Sequence, residues 1–159
     1  MANIIINGKG YQVEDGITIL EACNRLGIDI PTLCHDERLE PYAACRLCVV
    51  EIKGKGKLET SCSTKVRDGM EIETHSERVI RARKEILDLL FSNHPNDCLT
   101  CEKSGECKLQ DYCYEYGIVE GTYIGEKKNY PLDESNPFYT FDPNKCILCG
   151  KCVRVCSEL

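Results

Sequence analysis

Thirteen of the 159 residues are cysteine, and no other feature limits so sharply what this chain can fold into. The number is odd, and the opening MANIIING has no basic stretch leading into an apolar run. A disulfide framework is therefore the wrong reading, because thiols in a chain with no export signal are kept reduced in the cytoplasm, the expected location. Metal ligation is the use that accounts for them. The net charge of −6 and the absence of a basic face argue against nucleic acid as a partner. No apolar run is long enough for direct membrane insertion.

The first thiol group is Cys34, Cys45, Cys48 and Cys62, spaced C-x10-C-x2-C-x13-C. NIII and YQVED read as two strands across a turn that begins at Asn7-Gly8, and ITILEACNRLG has helical period. Thr18 and Glu21 form a capping-box pair, and Gly27 supplies the stop. A long polar loop follows, whose irregular backbone can turn amide N–H groups toward sulfur. CVVEI returns as a strand, and KLETSC pairs with it across the flexible turn KGKGK, which lacks the frame of a phosphate loop. This order is expected of a β-grasp ferredoxin domain holding a [2Fe–2S] cluster on four thiolates. The bland alternative is a zinc site with four cysteine ligands. Cys23 shares a helical stripe with Ile19 and Leu26 and reads as a buried packing thiol.

The second group lies in HPNDCLTCEKSGECKLQDYC, which offers five candidate ligands for a four-ligand site: His94, Cys98, Cys101, Cys107 and Cys113. Upstream, Ser76 is the expected N-cap of a helix with Val79, Ala82, Ile86 and Leu90 on its apolar stripe, and Pro95 ends it. If SGECKLQDYCYEYG is one helix capped by Ser104, six residues at roughly 100° each put Cys113 about 120° round from Cys107. Cys113 then joins Leu109, Tyr112 and Tyr116 as packing, and His94 becomes the fourth ligand. Taken alone, the set H-x3-C-x2-C-x5-C suits a zinc ion or an iron–sulfur cluster about equally; the preceding domain tips it to iron–sulfur.

The third group is CILCGKCVRVC, with Cys146, Cys149, Cys152 and Cys156 in the C-x2-C-x2-C-x3-C run of bacterial ferredoxins. Ser157 stands where proline normally follows. In two-cluster ferredoxins the fourth cysteine serves the other cluster, so Cys156 is either the fourth ligand here or a ligand of an adjacent cluster. With Leu159 last in the sequence, the final helix is expected to be cut before it can pack, leaving this end poorly ordered.

The three motifs, in this order, resemble the N-terminal iron–sulfur region shared by the large subunit of respiratory complex I (NADH-quinone oxidoreductase), iron-only hydrogenases and NAD-linked formate dehydrogenases. The resemblance implies a [2Fe–2S] cluster at the first group and a [4Fe–4S] cluster on His94, Cys98, Cys101 and Cys107. A further [4Fe–4S] at Cys146, Cys149 and Cys152 completes the series.

The expected fold class is α+β: a β-grasp [2Fe–2S] ferredoxin domain (1–78), a small helical [4Fe–4S] domain with one histidine and three cysteine ligands (79–118), an extended connector (119–141), and a partial 4Fe–4S ferredoxin motif (142–159). No nucleophile–base pair or dinucleotide fingerprint appears, so the chain is expected to be non-catalytic alone. The expected function is an electron-transfer module relaying single electrons between an NADH- or ferredoxin-linked partner and the catalytic part of an oxidoreductase. The partners are then other oxidoreductase subunits or a C-terminal catalytic domain. The rival is a zinc-stabilised interaction module without a redox role.

Overall fold

The computed structural model describes residues 1–159. The chain divides into two compact units, Met1–Arg83 with Gly150–Leu159, and Lys84–Cys149.

In the first unit the order is β1 (Ala2–Ile6), β2 (Lys9–Val13), α1 (Ile19–Arg25), β3 (Val49–Ile52), β4 (Glu59–Thr60), β5 (Glu71–Glu73) and the start of α2 (Glu77–Ser92). The five strands form one sheet in the order β2-β1-β5-β3-β4. Asn7 and Gly8 both take positive φ, 51° and 77°, as a tight hairpin turn between β1 and β2 requires. Ala2, Ile4 and Ile6 alternate inward along β1, and with Val50, Ile52 and Ile72 they form one core with Ile19, Leu20, Ala22 and Cys23 of α1. The capping box is present: the Thr18 hydroxyl accepts from the Glu21 N–H, and the Glu21 carboxylate accepts from the Thr18 N–H.

The central strand β5 has no counterpart in the sequence reading. It runs parallel to β1 and antiparallel to β3, yet of its three residues only Ile72 is buried. One apolar residue between two glutamates carries no period-two signal; backbone pairing on both sides makes it a strand.

α2 begins where expected, with the Ser76 hydroxyl accepting from the Val79 N–H. Its buried face is different: Val79, Arg83, Leu87 and Phe91 are buried, whereas Ala82, Ile86 and Leu90 are half-buried. A charged residue at the centre of the face hides it from a hydrophobicity pattern. Arg83 is fully enclosed and donates from Nη2 to the Val49 carbonyl at 2.9 Å.

The second unit holds the rest of α2, α3 (Lys108–Glu115) and a 3₁₀ turn at Pro143–Lys145. Ser104 does not cap α3. Gly105 turns the chain at φ 83°, and Cys107 is the N-cap in extended conformation. The segment after α3 is tied down by Asp88, whose carboxylate accepts from the Thr122 N–H and hydroxyl, and by the Tyr123 N–H donating to the Ser92 hydroxyl. It then folds on itself through reciprocal backbone bonds between Asp133 and Phe141.

The last helix, α4 (Lys151–Glu158), belongs to the first unit and corrects the expectation of an unpacked end. It buries no residue of its own and docks through polar contacts: the Arg154 guanidinium donates to the Glu40 carbonyl, and the Glu40 N–H donates to the Glu158 carboxylate. No helix is long and apolar enough to cross a membrane.

Candidate metal centres

The loop from α1 to β3 carries three of the four thiols of the first group, and Cys62, two residues beyond β4, carries the fourth. Cys34, Cys48 and Cys62 are buried and Cys45 half-buried. The thiols stand as two facing pairs. Cys34 and Cys45 are hydrogen-bonded to each other, as are Cys48 and Cys62, and all four lie within one another's field. No three side chains of His, Cys, Asp or Glu close round a single point as one bare ion would require.

The backbone is bent to serve these sulfurs. Ala43 and Arg46 take φ of 54° and 60°, unusual for residues with a side chain, and so turn amide groups into the loop. The Cys45 N–H donates to Cys34 Sγ at 3.4 Å. The Cys45 thiol is pulled down to about 5, first by the hydrogen bond from Cys34 and then by the N–H groups of Leu47, Leu33 and Cys34, which outweigh burial. Cys48 is pulled down to about 7, chiefly by Cys62. The partner in each pair is pushed up by the same hydrogen bond and by burial. One thiol of each pair thus ionises readily, and thiolate is the ligating form. Two pairs of thiols ringed by N–H donors fit a two-iron cluster, with two sulfurs for each iron and hydrogen bonds for the charge.

Cys23, outside every ligand set, is buried in the core of this unit, and burial pushes it up to about 11 against the opposing field of Arg83.

In the second unit, His94 follows the end of α2 and is half-buried. Its Nδ1 lies 2.8 Å from the Pro95 carbonyl, which can only accept; Nδ1 therefore carries the proton and the Nε2 lone pair is left for a metal. Cys98, Cys101 and Cys107 are half-buried. Cys113 is buried with Leu109, one turn away on α3, and its thiol is pushed up to about 11, first by burial and then by the fields of Cys98 and Cys107. It packs beside the candidate ligands. Because Cys107 lies outside the regular helix, helical phase does not separate the two thiols as expected; burial does.

Lys145 bridges from the third group to the second: its ammonium lies 2.9 Å from the Asp97 carboxylate, beside Cys98, and within the field of Cys101. This hydrogen bond is the main cause that holds Asp97 below the usual carboxylate range. Lys128 donates to the Cys146 carbonyl at 2.6 Å. Leu148, at φ 56°, sends its N–H to Cys146 Sγ at 3.4 Å, the same device seen in the first loop. Of the third group, Cys146 and Cys149 are half-buried in the second unit; Cys152 and Cys156 are exposed, one turn apart on α4 in the first. None of these lysines, nor Ala43 and Arg46, announced itself in the sequence, since no motif marks them.

Comparison with known proteins agrees in order and extent. The family profile described as a 2Fe-2S iron-sulfur cluster binding domain matches residues 1–77. The NADH-ubiquinone oxidoreductase-G iron-sulfur binding region matches residues 83–121. A 4Fe-4S binding domain matches residues 139–158. The chain is 42% identical over its full length to NADPH-Fe(3+) oxidoreductase subunit alpha of Geobacter sulfurreducens, of which it covers 19%. It is 44% identical to the NADP-reducing hydrogenase subunit HndD of Solidesulfovibrio fructosivorans, again over its full length, covering 28% of that protein. The crystal structure of an NAD+-reducing [NiFe]-hydrogenase superposes with a TM-score of 0.87 at 36% identity, over 96% of this chain and 64% of that one. The chain thus spans about a fifth to a quarter of the length of these curated relatives.

Proposed function

The chain is an iron–sulfur electron-transfer region of the kind found in the large subunit of complex I and in NADP-reducing hydrogenase, and we propose that it relays single electrons between an NAD(P)- or ferredoxin-linked partner and the catalytic part of a larger oxidoreductase. The observation that carries this reading is the pairing of four thiols, two and two, in a loop whose N–H groups point at sulfur. In this reading residues 1–78 are a β-grasp domain whose Cys34, Cys45, Cys48 and Cys62 hold a [2Fe–2S] cluster. Residues 79–118 hold a [4Fe–4S] cluster on His94 Nε2, Cys98, Cys101 and Cys107. Residues 119–141 connect them to the motif at 142–159, where Cys146, Cys149 and Cys152 bind a further [4Fe–4S], with Cys156 its fourth ligand or that of an adjacent cluster.

When bound, such clusters take up and release one electron at a time. The work of the polypeptide is to hold them. Burial of Cys34, Cys48 and Cys62 keeps water from the first site, and backbone donors at Cys45 and Leu47 spread the charge on its sulfurs. A neutral imidazole in place of one thiolate makes the second site less anionic and raises its potential relative to four cysteines. The chain holds no catalytic group of its own, so turnover belongs to the parts of the oxidoreductase that its relatives carry beyond this region. The test is metal analysis of anaerobically purified protein. Brown protein with about ten iron and ten sulfide per chain is the expected result; colourless protein with stoichiometric zinc would overturn the reading.

A further inference from the structure

The helix α4 presents a physical puzzle. It carries Cys152 and Cys156, yet none of its residues is buried, so no apolar area holds it to the first unit. Its attachment rests on one side chain. Arg154, only 12% exposed, donates from Nη2 to the Glu40 carbonyl and from Nε to Glu158 Oε1 at 2.9 Å. Glu158 in turn accepts the Glu40 N–H at 2.9 Å, so one arginine–glutamate pair grips both polar groups of a single residue's backbone. The guanidinium also lies 5.0 Å from the centre of the Tyr42 ring. At the start of the helix Gly150 passes so close to that ring that a Cβ would meet it at 3.1 Å.

The places joined by this grip are informative. Glu40 and Tyr42 lie in the loop between Cys34 and Cys45, and Arg154 lies between Cys152 and Cys156. We propose that Arg154 is a positioning residue: it clamps the helix bearing ligands of the third group to the loop bearing ligands of the first, and so fixes the separation across which these two centres exchange electrons. The inference rests on reading both groups as cluster ligands. Arginine suits the task because its planar fork serves two acceptors at once while its face stacks on an aromatic ring, which lysine cannot do. The fixed separation is set by a hydrogen-bonded pair, so a single substitution releases it without emptying either ligand set.

The experiment uses the full chain with its clusters, comparing wild type with Arg154→Gln and Arg154→Lys by pulsed EPR of the dipolar coupling between the reduced first and third centres. Wild type should give one narrow distance. Arg154→Gln should retain both signals but broaden the distance and slow exchange between the centres at least tenfold, and Arg154→Lys should restore only part of the narrowing. A wild-type distance and rate in Arg154→Gln would overturn the clamp. If wild type itself lacks the third signal, the cluster assignment fails separately, and amide exchange then decides the clamp. In Arg154→Gln, protection at Glu40–Tyr42 and along α4 must fall together; unchanged protection overturns it.

Discussion

Five side chains competed for one site, and they illustrate what a single residue can settle. His94 has its Nδ1 proton committed to the Pro95 carbonyl, whereas Cys113 is buried on α3. His94→Ala should therefore abolish or shift one [4Fe–4S] EPR signal, and Cys113→Ala should leave all signals in place while lowering stability by about 1–2 kcal/mol, the usual scale for a small core truncation. Cys23 gives a pH test. Its thiol is raised to about 11 in the fold, mainly by burial, against an unfolded value near 9. The stabilisation this brings is complete below pH 9 and is lost as pH rises toward 11, on the order of 2 kcal/mol. Denaturant midpoints at pH 7 and pH 10.5 should fall further apart in wild type than in Cys23→Ala. The thiol assignments were legible because ligand spacing is a local property of the chain. What bends the loop was not: nothing about Ala43 or Arg46 as residue types signals a positive φ, which arises from wrapping backbone round the ligand set.

At the level of elements, legibility followed the strength of the local signal. The Asn7-Gly8 turn and the Thr18 capping box were readable because a specific residue type does a specific local job. Gly8→Val should cost at least about 1 kcal/mol in urea denaturation, since a β-branched residue is strained at φ 77°. β5 escaped notice because its identity as a strand is conferred by β1 and β3 on either side. The face of α2 was misjudged for a different reason. Arg83 occupies its centre, and a pattern of apolar residues cannot register a guanidinium enclosed by hydrogen bonding to the Val49 carbonyl. α4 shows the same limit, because a helix docked by Arg154 and Glu158 leaves no apolar stripe to find.

For the molecule as a whole, the two units differ in what holds them. The first has a sheet and helix around a continuous apolar core from Ala2 to Ile72. The second buries few apolar side chains, among them Leu87, Phe91, Leu109 and Ile118, so the metal centre must supply much of its order. Removing iron with a chelator should therefore erase amide-exchange protection in α3 well before the β1–β5 pairing, and simultaneous loss in both would contradict a second unit ordered by its metal. The order of motifs, a [2Fe–2S] domain followed by two [4Fe–4S] regions, is the property from which electron relay follows. It is tested most directly by an EPR-monitored redox titration of the anaerobic full chain. The expected outcome is a rhombic [2Fe–2S] signal and at least one distinct [4Fe–4S] signal, each appearing with the uptake of one electron. A chain that stays EPR-silent from the oxidised state through full reduction would contradict electron relay.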